Sequence, residues 1–233
     1  MFCNRTGKGR PMAKRNTRQL IADTFVELVK ESSLSRVRVA DVIERLDINR
    51  NTYYYHFTGK TETALWVFRR ALADELQKSF PKDQLVSNTF STRFDSKMPY
   101  YVHVEIGART LDCSGFFRAL LVCVQRDDAF FRKLFTMQEL DFIDAVSRLY
   151  YPALLEDVRF ILGGRYMPPE TQHMVATLSA RHLVSTVEFF LQNKSLQTSL
   201  LDERANPFGN MLQEALFNAI QAHPINRYSP KRP

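Results

Sequence analysis

Apolar positions repeat at helical spacing along most of the chain. From residue 16 to 32, Ile21, Ala22, Phe25, Leu28 and Val29 recur three and four positions apart, with Asp23, Glu27 and Lys30 on the other side. That spacing predicts an amphipathic helix with Asn16 or Thr17 as its cap. After Ser32-Ser33-Leu34-Ser35, the residues Val39, Val42, Ile43 and Leu46 predict a second helix over Val39–Leu46, and a third follows over Arg50–Phe57. Asp47-Ile48-Asn49 separates them. Asp tolerates the left-handed backbone that stops a helix, and Asn49 suits the N-cap of the next one. Two short helices joined by three or four residues, with the first helix packed across them, make a helix-turn-helix.

A long helix is expected from Thr61, with Leu65, Phe68, Ala71 or Leu72, and Leu76 along one side. Pro81 to Pro99, rich in Ser, Asn and Thr, reads as a break or loop. Helical patterns then cover 101–110, 115–125, 127–149, 152–162, 170–193 and 207–222, punctuated by Gly163-Gly164, Pro168-Pro169 and Asn206-Pro207. No sustained period-two alternation is present, so strands are not expected and the fold class reads as all-α. Residues 170–193 are apolar nearly all round, which predicts burial on every side. Phe208, Met211, Leu212, Ala215, Leu216, Ala219 and Ile220 form one apolar face. This last pair of helices is a natural two-fold seam, giving a homodimer through a four-helix bundle. The alternative is a core within one chain.

Composition narrows the class. Hydrophobic residues at 45% and charged residues at 24% suit a globular chain and exclude intrinsic disorder. The longest apolar run, Ala119–Val124, is far short of the roughly 18–20 residues a membrane span needs. The N-terminus is charged without a following apolar stretch, so no secretory signal is expected. Cys3, Cys113 and Cys123 are odd in number and lack metal-ligand spacing, which fits a reducing cytoplasm. The net charge of +7 is uneven: residues 1–60 carry a net +6 and the remainder +1. Residues 1–18 hold Arg5, Lys8, Arg10, Lys14, Arg15 and Arg18 with no acid, whereas residues 19–60 balance. Such an arm is either a phosphate-binding device or a solvated tail. Met12 is a second candidate start, and beginning there removes three of those cations.

Residues 38–60, RVADVIERLDINRNTYYYHFTGK, are the most specific stretch. They resemble the DNA-binding signature of the tetracycline-repressor (TetR/AcrR) family of transcriptional regulators. Val39, Asp41 and Val42 match the family's second helix, Asn49 and Arg50 the entry to its recognition helix, and Thr52, Tyr54, Phe57 and Lys60 its most typical positions. The likeness covers about residues 14–66 and fades beyond Trp66. Within the family, Arg50 to Phe57 resembles a subgroup that includes regulators of dihydroxyacetone kinase genes. Three departures stand out: Asp47 where the family has Gly, Arg38 where it has a capping Thr or Ser, and Asn51 in place of a small residue. The capping bond at Arg38 is then lost or moves to Ser35.

The resemblance implies an N-terminal three-helix DNA-binding domain followed by a larger helical ligand-binding and dimerisation domain. It places the arm at 1–15, the helix-turn-helix domain at 16–62, the regulatory and dimerisation domain at 63–223 and a tail at 224–233. A recognition helix presents its N-terminal residues to base edges. Here these are Arg50, Asn51, Thr52 and Tyr53, where Arg can bond guanine, Asn adenine, and Thr or Tyr thymine methyls or phosphates. The resemblance implies phosphate contacts for Tyr54 and His56. Lys60 adds a cation at a helix N-terminus, and Arg36 or Arg38 could reach phosphate. Phe57 is expected to pack inward with one face of the tyrosine triplet.

Operator DNA, a second copy of the chain and an effector are therefore the expected partners, with no cofactor and no membrane. The effector is a small molecule acting on a repressor or, alternatively, a protein partner acting on a co-activator. Tyr100, Tyr101, His103, Arg118, Gln125 and His182 are polar groups on apolar stretches that could line a pocket, although aromatic-rich helices are more often plain core. Catalysis is not expected. No P-loop, nucleophile elbow or Gly-rich dinucleotide turn is present, His173 and His182 fall on different helix faces, and Asp127-Asp128 reads as a helix start.

Overall fold

The computed structural model describes residues 16–87, 98–136, 139–201, 210, 214–215 and 217–219. The basic arm, the 224–233 tail and most of the 208–220 apolar stripe lie outside the described residues. Three helices open the chain: α1 (Thr17–Glu31), α2 (Val39–Leu46) and α3 (Arg50–His56). Asn16 caps α1 by accepting the Arg18 amide, and Asn49 caps α3 by accepting the Asn51 amide. Their apolar sides meet: Ile21, Phe25, Val29, Val37, Val42, Tyr53 and Phe57 are all buried.

Asp47 ends α2 in the left-handed region, at φ 50° and ψ 46°, and the Ile48 amide donates back to the Ile43 carbonyl. Glycine adopts this backbone without the Cβ clash. Asp47→Gly is therefore expected to change stability by between about 0 and +1 kcal/mol, because the relieved clash is partly offset by a freer unfolded chain. Asp47→Val is expected to lower it by about 1–2 kcal/mol. Urea midpoints of the two variants check both signs. At the start of α2 the N-cap side-chain bond is lost, since the Arg38 side chain makes no cap bond, and only the reverse contact from the third helical residue remains. Asp41 accepts the Arg38 amide at 2.8 Å and also holds the Arg38 guanidinium.

Helix α4 (Lys60–Ser79) leads out of this head into the body. The body contains α5 (Ser114–Arg126), α6 (Asp128–Phe135), α7 (Leu140–Leu162), α8 (Pro169–Gln192) and α9 (Gln197–Leu201). Asp127 caps α6, as carboxylates at a helix start do. Where one helix is expected over 127–149 and another over 152–162, α6 ends at Phe135 and α7 begins at Leu140 and runs unbroken through Pro152. Pro152 is exposed and donates no amide to the Arg148 carbonyl, an omission that solvent tolerates.

Residues 101–110 are not helical. Strand β1 (Leu85–Ser87) pairs antiparallel with β2 (Pro99–Val102), Leu85 opposite Val102, and β3 (Glu105–Gly107) pairs with β4 (Thr110–Leu111). Every residue of β2 is buried. A strand covered on both faces shows no period-two alternation, which is why the pattern hid it. The expectation of burial on all sides of α8 also fails. Ala176, Ala180, Leu183, Val184, Val187, Phe190 and Leu191 are buried, but Met174, Leu178 and Phe189 are 55%, 59% and 49% exposed.

One apolar cluster runs from Ile21 in the head to Leu191 in α8. At its centre Phe68 meets Phe131, Phe135, Phe142 and Tyr150 edge-on, with centroids 5.7–6.5 Å apart. Phe116 and Tyr101 extend the array from Tyr150. The head is tied to the body through α6: Lys133 donates to the Lys30 and Ser32 carbonyls at the C-terminal end of α1, and Lys30 pairs with Asp127. The Ser35 amide donates to Glu139, and Phe25 packs edge-on against Phe130. Among the described residues no helix is long and apolar enough to cross a membrane.

Candidate nucleic-acid interface

Helix α3 is two turns long and amphipathic in a way three adjacent tyrosines disguise. Tyr53 and Phe57, four positions apart, point into the head, where Tyr53 is fully buried and Phe57 packs edge-on against Trp66. Arg50, Asn51, Tyr54 and Tyr55 are exposed on the opposite side, and Thr52 and His56 are half-buried. Tyr54 is 43% and Tyr55 70% exposed. The Arg50 guanidinium lies 5.4 Å from the centre of the Tyr54 ring, one turn on. A cation over a ring face is held without losing its outward donors.

Two expected contacts are placed elsewhere. The Tyr53 hydroxyl bonds the Thr63 hydroxyl at 2.7 Å in the interior, and burial pushes its phenol up to about 12. It cannot reach a base edge. Tyr55 stands on the exposed face in its place, and the signal for that was the shared face of Tyr53 with Phe57. Lys60 turns its ammonium inward, donating to the Leu34 and Ser35 carbonyls at 2.8 and 3.1 Å. It fixes the α1–α2 connector against α4, with one donor left beyond those two bonds.

The other expected positions are on the surface. Arg36 and Arg38 are exposed beside the start of α2, Arg38 bridged to Asp41. Burial, with Arg18 nearby, lowers the His56 pKa and so favours the neutral ring. Arg18 itself is buried over the Phe57 and Trp66 rings, at 4.9 and 5.0 Å. It therefore belongs to the head's interior, not to a surface arm. Arg45 faces Glu31 on α1.

Exposed Arg, Asn and Tyr on one side of a short, firmly seated helix can read nucleic acid. A major groove admits one α-helix, and these side chains supply donors, acceptors and stacking faces. The separation of roles can be measured. Tyr53→Phe is expected to cost about 0.5–1.5 kcal/mol of stability with DNA binding unchanged, because Thr63 keeps its bond to the Gly59 carbonyl. Tyr54→Phe is expected to do the reverse, weakening DNA binding with an unchanged melting temperature. Calorimetric melting and fluorescence anisotropy on the same samples decide it.

Of the pocket candidates, Tyr100, Tyr101 and His103 come together beside α7. Arg118 and Gln125 stand on the exposed side of α5, and His182 packs against Phe117. Among the described residues no group of three or more His, Cys, Asp and Glu side chains could hold a metal.

No family model matches the chain. A curated relative, the HTH-type dhaKLM operon transcriptional activator DhaS of Lactococcus lactis subsp. lactis (strain IL1403), is 28% identical over 58 residues. That stretch is 25% of this chain and 31% of the relative, so the chain spans about a third of the length of the protein it matches. Among solved structures, the dihydroxyacetone kinase operon activator DhaS aligns with a TM-score of 0.46 at 14% identity, over 88% of this chain and 96% of that one. A protein described as a tetR family transcription regulator from Shewanella sp. PV-4 aligns at 0.48 and 14%, over 88% and 98%. A tetR-family transcriptional regulator from Streptomyces coelicolor aligns at 0.42 and 17%, over 91% and 90%.

Proposed function

We infer that this chain is a transcriptional regulator of the tetracycline-repressor family, and that it recognises operator DNA through α3. The observation that carries the reading is the split of α3 into a buried anchor, Tyr53 and Phe57, and an exposed face of Arg50, Asn51, Tyr54 and Tyr55, behind a three-residue turn. On this reading Arg50 and Asn51 read bases, Thr52 and Tyr54 contact thymine methyls or phosphate, and Tyr55, His56 and Arg38 orient the head on phosphates, while Lys60 braces the α1–α2 connector. Residues 16–62 form the reading head and 63–223 the regulatory and dimerising part, acting in the cytoplasm. The basic arm adds salt-sensitive affinity.

Two-fold symmetric operators require two heads. Met174, Leu178 and Phe189 leave an apolar side of α8 uncovered in one chain. The stripe at 208–220 supplies a second apolar face in sequence. Together they support a homodimer through α8 and the segment after it, in the manner of a four-helix bundle. An effector in the helical part would act by preferring one separation of the heads, since a ligand indifferent to both shifts nothing. The chain then serves as a ligand-controlled repressor. The second reading is an activator controlled by a protein partner; the curated relative's name, a transcriptional activator, favours activation over repression.

Mobility shift of the full chain on DNA upstream of its own and neighbouring genes tests the reading. A complex of two chains per duplex that survives excess non-specific DNA is expected. Equal competition by every fragment would remove sequence-specific regulation.

A further inference from the structure

His103 directly follows β2, and its amide closes the β1–β2 ribbon by donating to the Gln84 carbonyl at 2.9 Å. The half-buried ring stands edge-on to Phe160 of α7, and both of its nitrogens face carboxylates. Nδ1 lies 3.0 Å from Asp157 on α7, and Nε2 lies 3.4 Å from Glu105 on β3. An ionised carboxylate only accepts, whereas a neutral imidazole carries one N–H and one lone pair. The doubly protonated ring alone satisfies both neighbours. In the neutral ring, Nδ1–H stays on the buried Asp157 and the Nε2 lone pair is turned towards Glu105, which is on the surface.

The other charged and titratable groups around the ring leave this proton as the one that changes. From α7, Glu156 and Arg159 line the same cavity and pair with each other at 2.6 Å. From β2, the Tyr101 hydroxyl donates to Asp157 at 2.8 Å, and burial raises both Tyr101 and Tyr100. Cys113, before α5, meets the Tyr101 hydroxyl, and Arg69 of α4 acts on Tyr100. The hydrogen bond to Asp157 holds His103 above the ordinary imidazole value of about 6.5, against the opposing effect of burial, and Glu105 adds to it. Burial raises Asp157, while His103 and Tyr101 oppose that. The exchangeable proton thus sits in the Asp157–His103 contact, and its loss to solvent leaves a buried carboxylate without its countercharge. A raised histidine contributes stability that is complete below about 6.5 and is lost as pH rises through the folded value.

We propose that His103 is a proton-operated latch: doubly protonated, it ties the β1–β2 ribbon to α7, and loss of one proton as pH rises loosens the ribbon. Neither state asks Asp157 to take a new partner. Strand β2 and α7 both pack against α4, the helix that leaves the reading head. The consequence for DNA binding rests on the proposed function; the latch itself does not.

Two readouts on the full chain, without DNA, test it. Nuclear magnetic resonance titration of the imidazole nitrogens is expected to place the His103 midpoint above about 6.5. Asp157→Asn should lower that midpoint, and Glu105→Gln should lower it less. Hydrogen exchange then reads the ribbon amides. At about pH 6, His103→Gln, which keeps a hydrogen-bonding side chain but does not titrate, is expected to exchange them about three- to tenfold faster than the wild type. About two pH units above the measured midpoint, the two proteins should exchange alike. Comparing them at each pH cancels the other histidines, of which His56 and His182 are lowered by burial and act with the opposite sign. Glu105 is exposed, so Glu105→Gln keeps the proposal testable if Asp157→Asn does not fold. A midpoint at or below about 6.5, a midpoint that the carboxylate variants leave unmoved, or a ribbon that His103→Gln alters equally at both pH values would overturn the latch. Because no DNA is present, that failure leaves the DNA-reading proposal standing, and loss of DNA binding leaves this one.

Discussion

Phe68→Ala is expected to destabilise the protein by about 3–5 kcal/mol, a large part of the roughly 5–15 kcal/mol that holds a typical fold together. Phe68 is fully buried midway along α4, and four rings meet it edge-on from α6 and α7. Truncation removes the transfer free energy of the ring and leaves a cavity, because rings from two separate helices cannot all move in together. It also removes edge-to-face contacts of about 0.5–1.5 kcal/mol each beyond simple burial, a gain the area term omits. At this chain length the melting temperature should fall by about 2–4 °C per kcal/mol. Phe68→Leu retains most of the volume and should cost clearly less. Urea unfolding with an unchanged slope checks both, and a loss below about 1 kcal/mol for the alanine variant would mean the array is loosely packed.

Arg50→Ala is expected to cost about 1–3 kcal/mol in specific DNA binding and to relax preference at one base position. The residue opens α3, but Asn49 makes the cap, so its removal leaves the helix start intact. Its stacking on Tyr54 fixes the guanidinium's direction before DNA arrives, lowering the entropy lost on contact. Arg45→Ala is the control, since that side chain faces Glu31 across the head. Anisotropy on duplexes carrying each single-base change separates the outcomes. A uniform loss over all sequences would make Arg50 a phosphate contact, and no loss would take α3 out of the groove.

What the sequence made legible and what it hid follow from the range of the forces involved. The bounds of α2, the left-handed Asp47 and the Asn49 cap depend on residues within one turn, and all were readable there. The end of α6 and the passage of α7 through Pro152 depend on what packs around them, and local pattern misplaced both. Strand β2 was hidden because burial on both faces erases the alternation that marks a strand. In α3, Tyr53 is buried and Tyr55 exposed, an arrangement that the shared face of Tyr53 and Phe57 implies. Lys60 shows another limit: a cation at a helix start suggests phosphate, yet carbonyls brought from 25 and 26 positions earlier claim it. Most of the body's rings are buried core, but the grouping of Tyr101 and His103 with Asp157, more than fifty residues away, carries no sequence signal.

Selection of bound duplexes from a random library tests the central claim most directly. The wild-type chain should enrich one half-site, repeated with two-fold symmetry at a fixed spacing, and an Arg50→Ala, Asn51→Ala double variant should lose that enrichment while still binding DNA weakly at low salt. Enrichment of the same sequence by both proteins, or none by the wild type, would contradict recognition through α3.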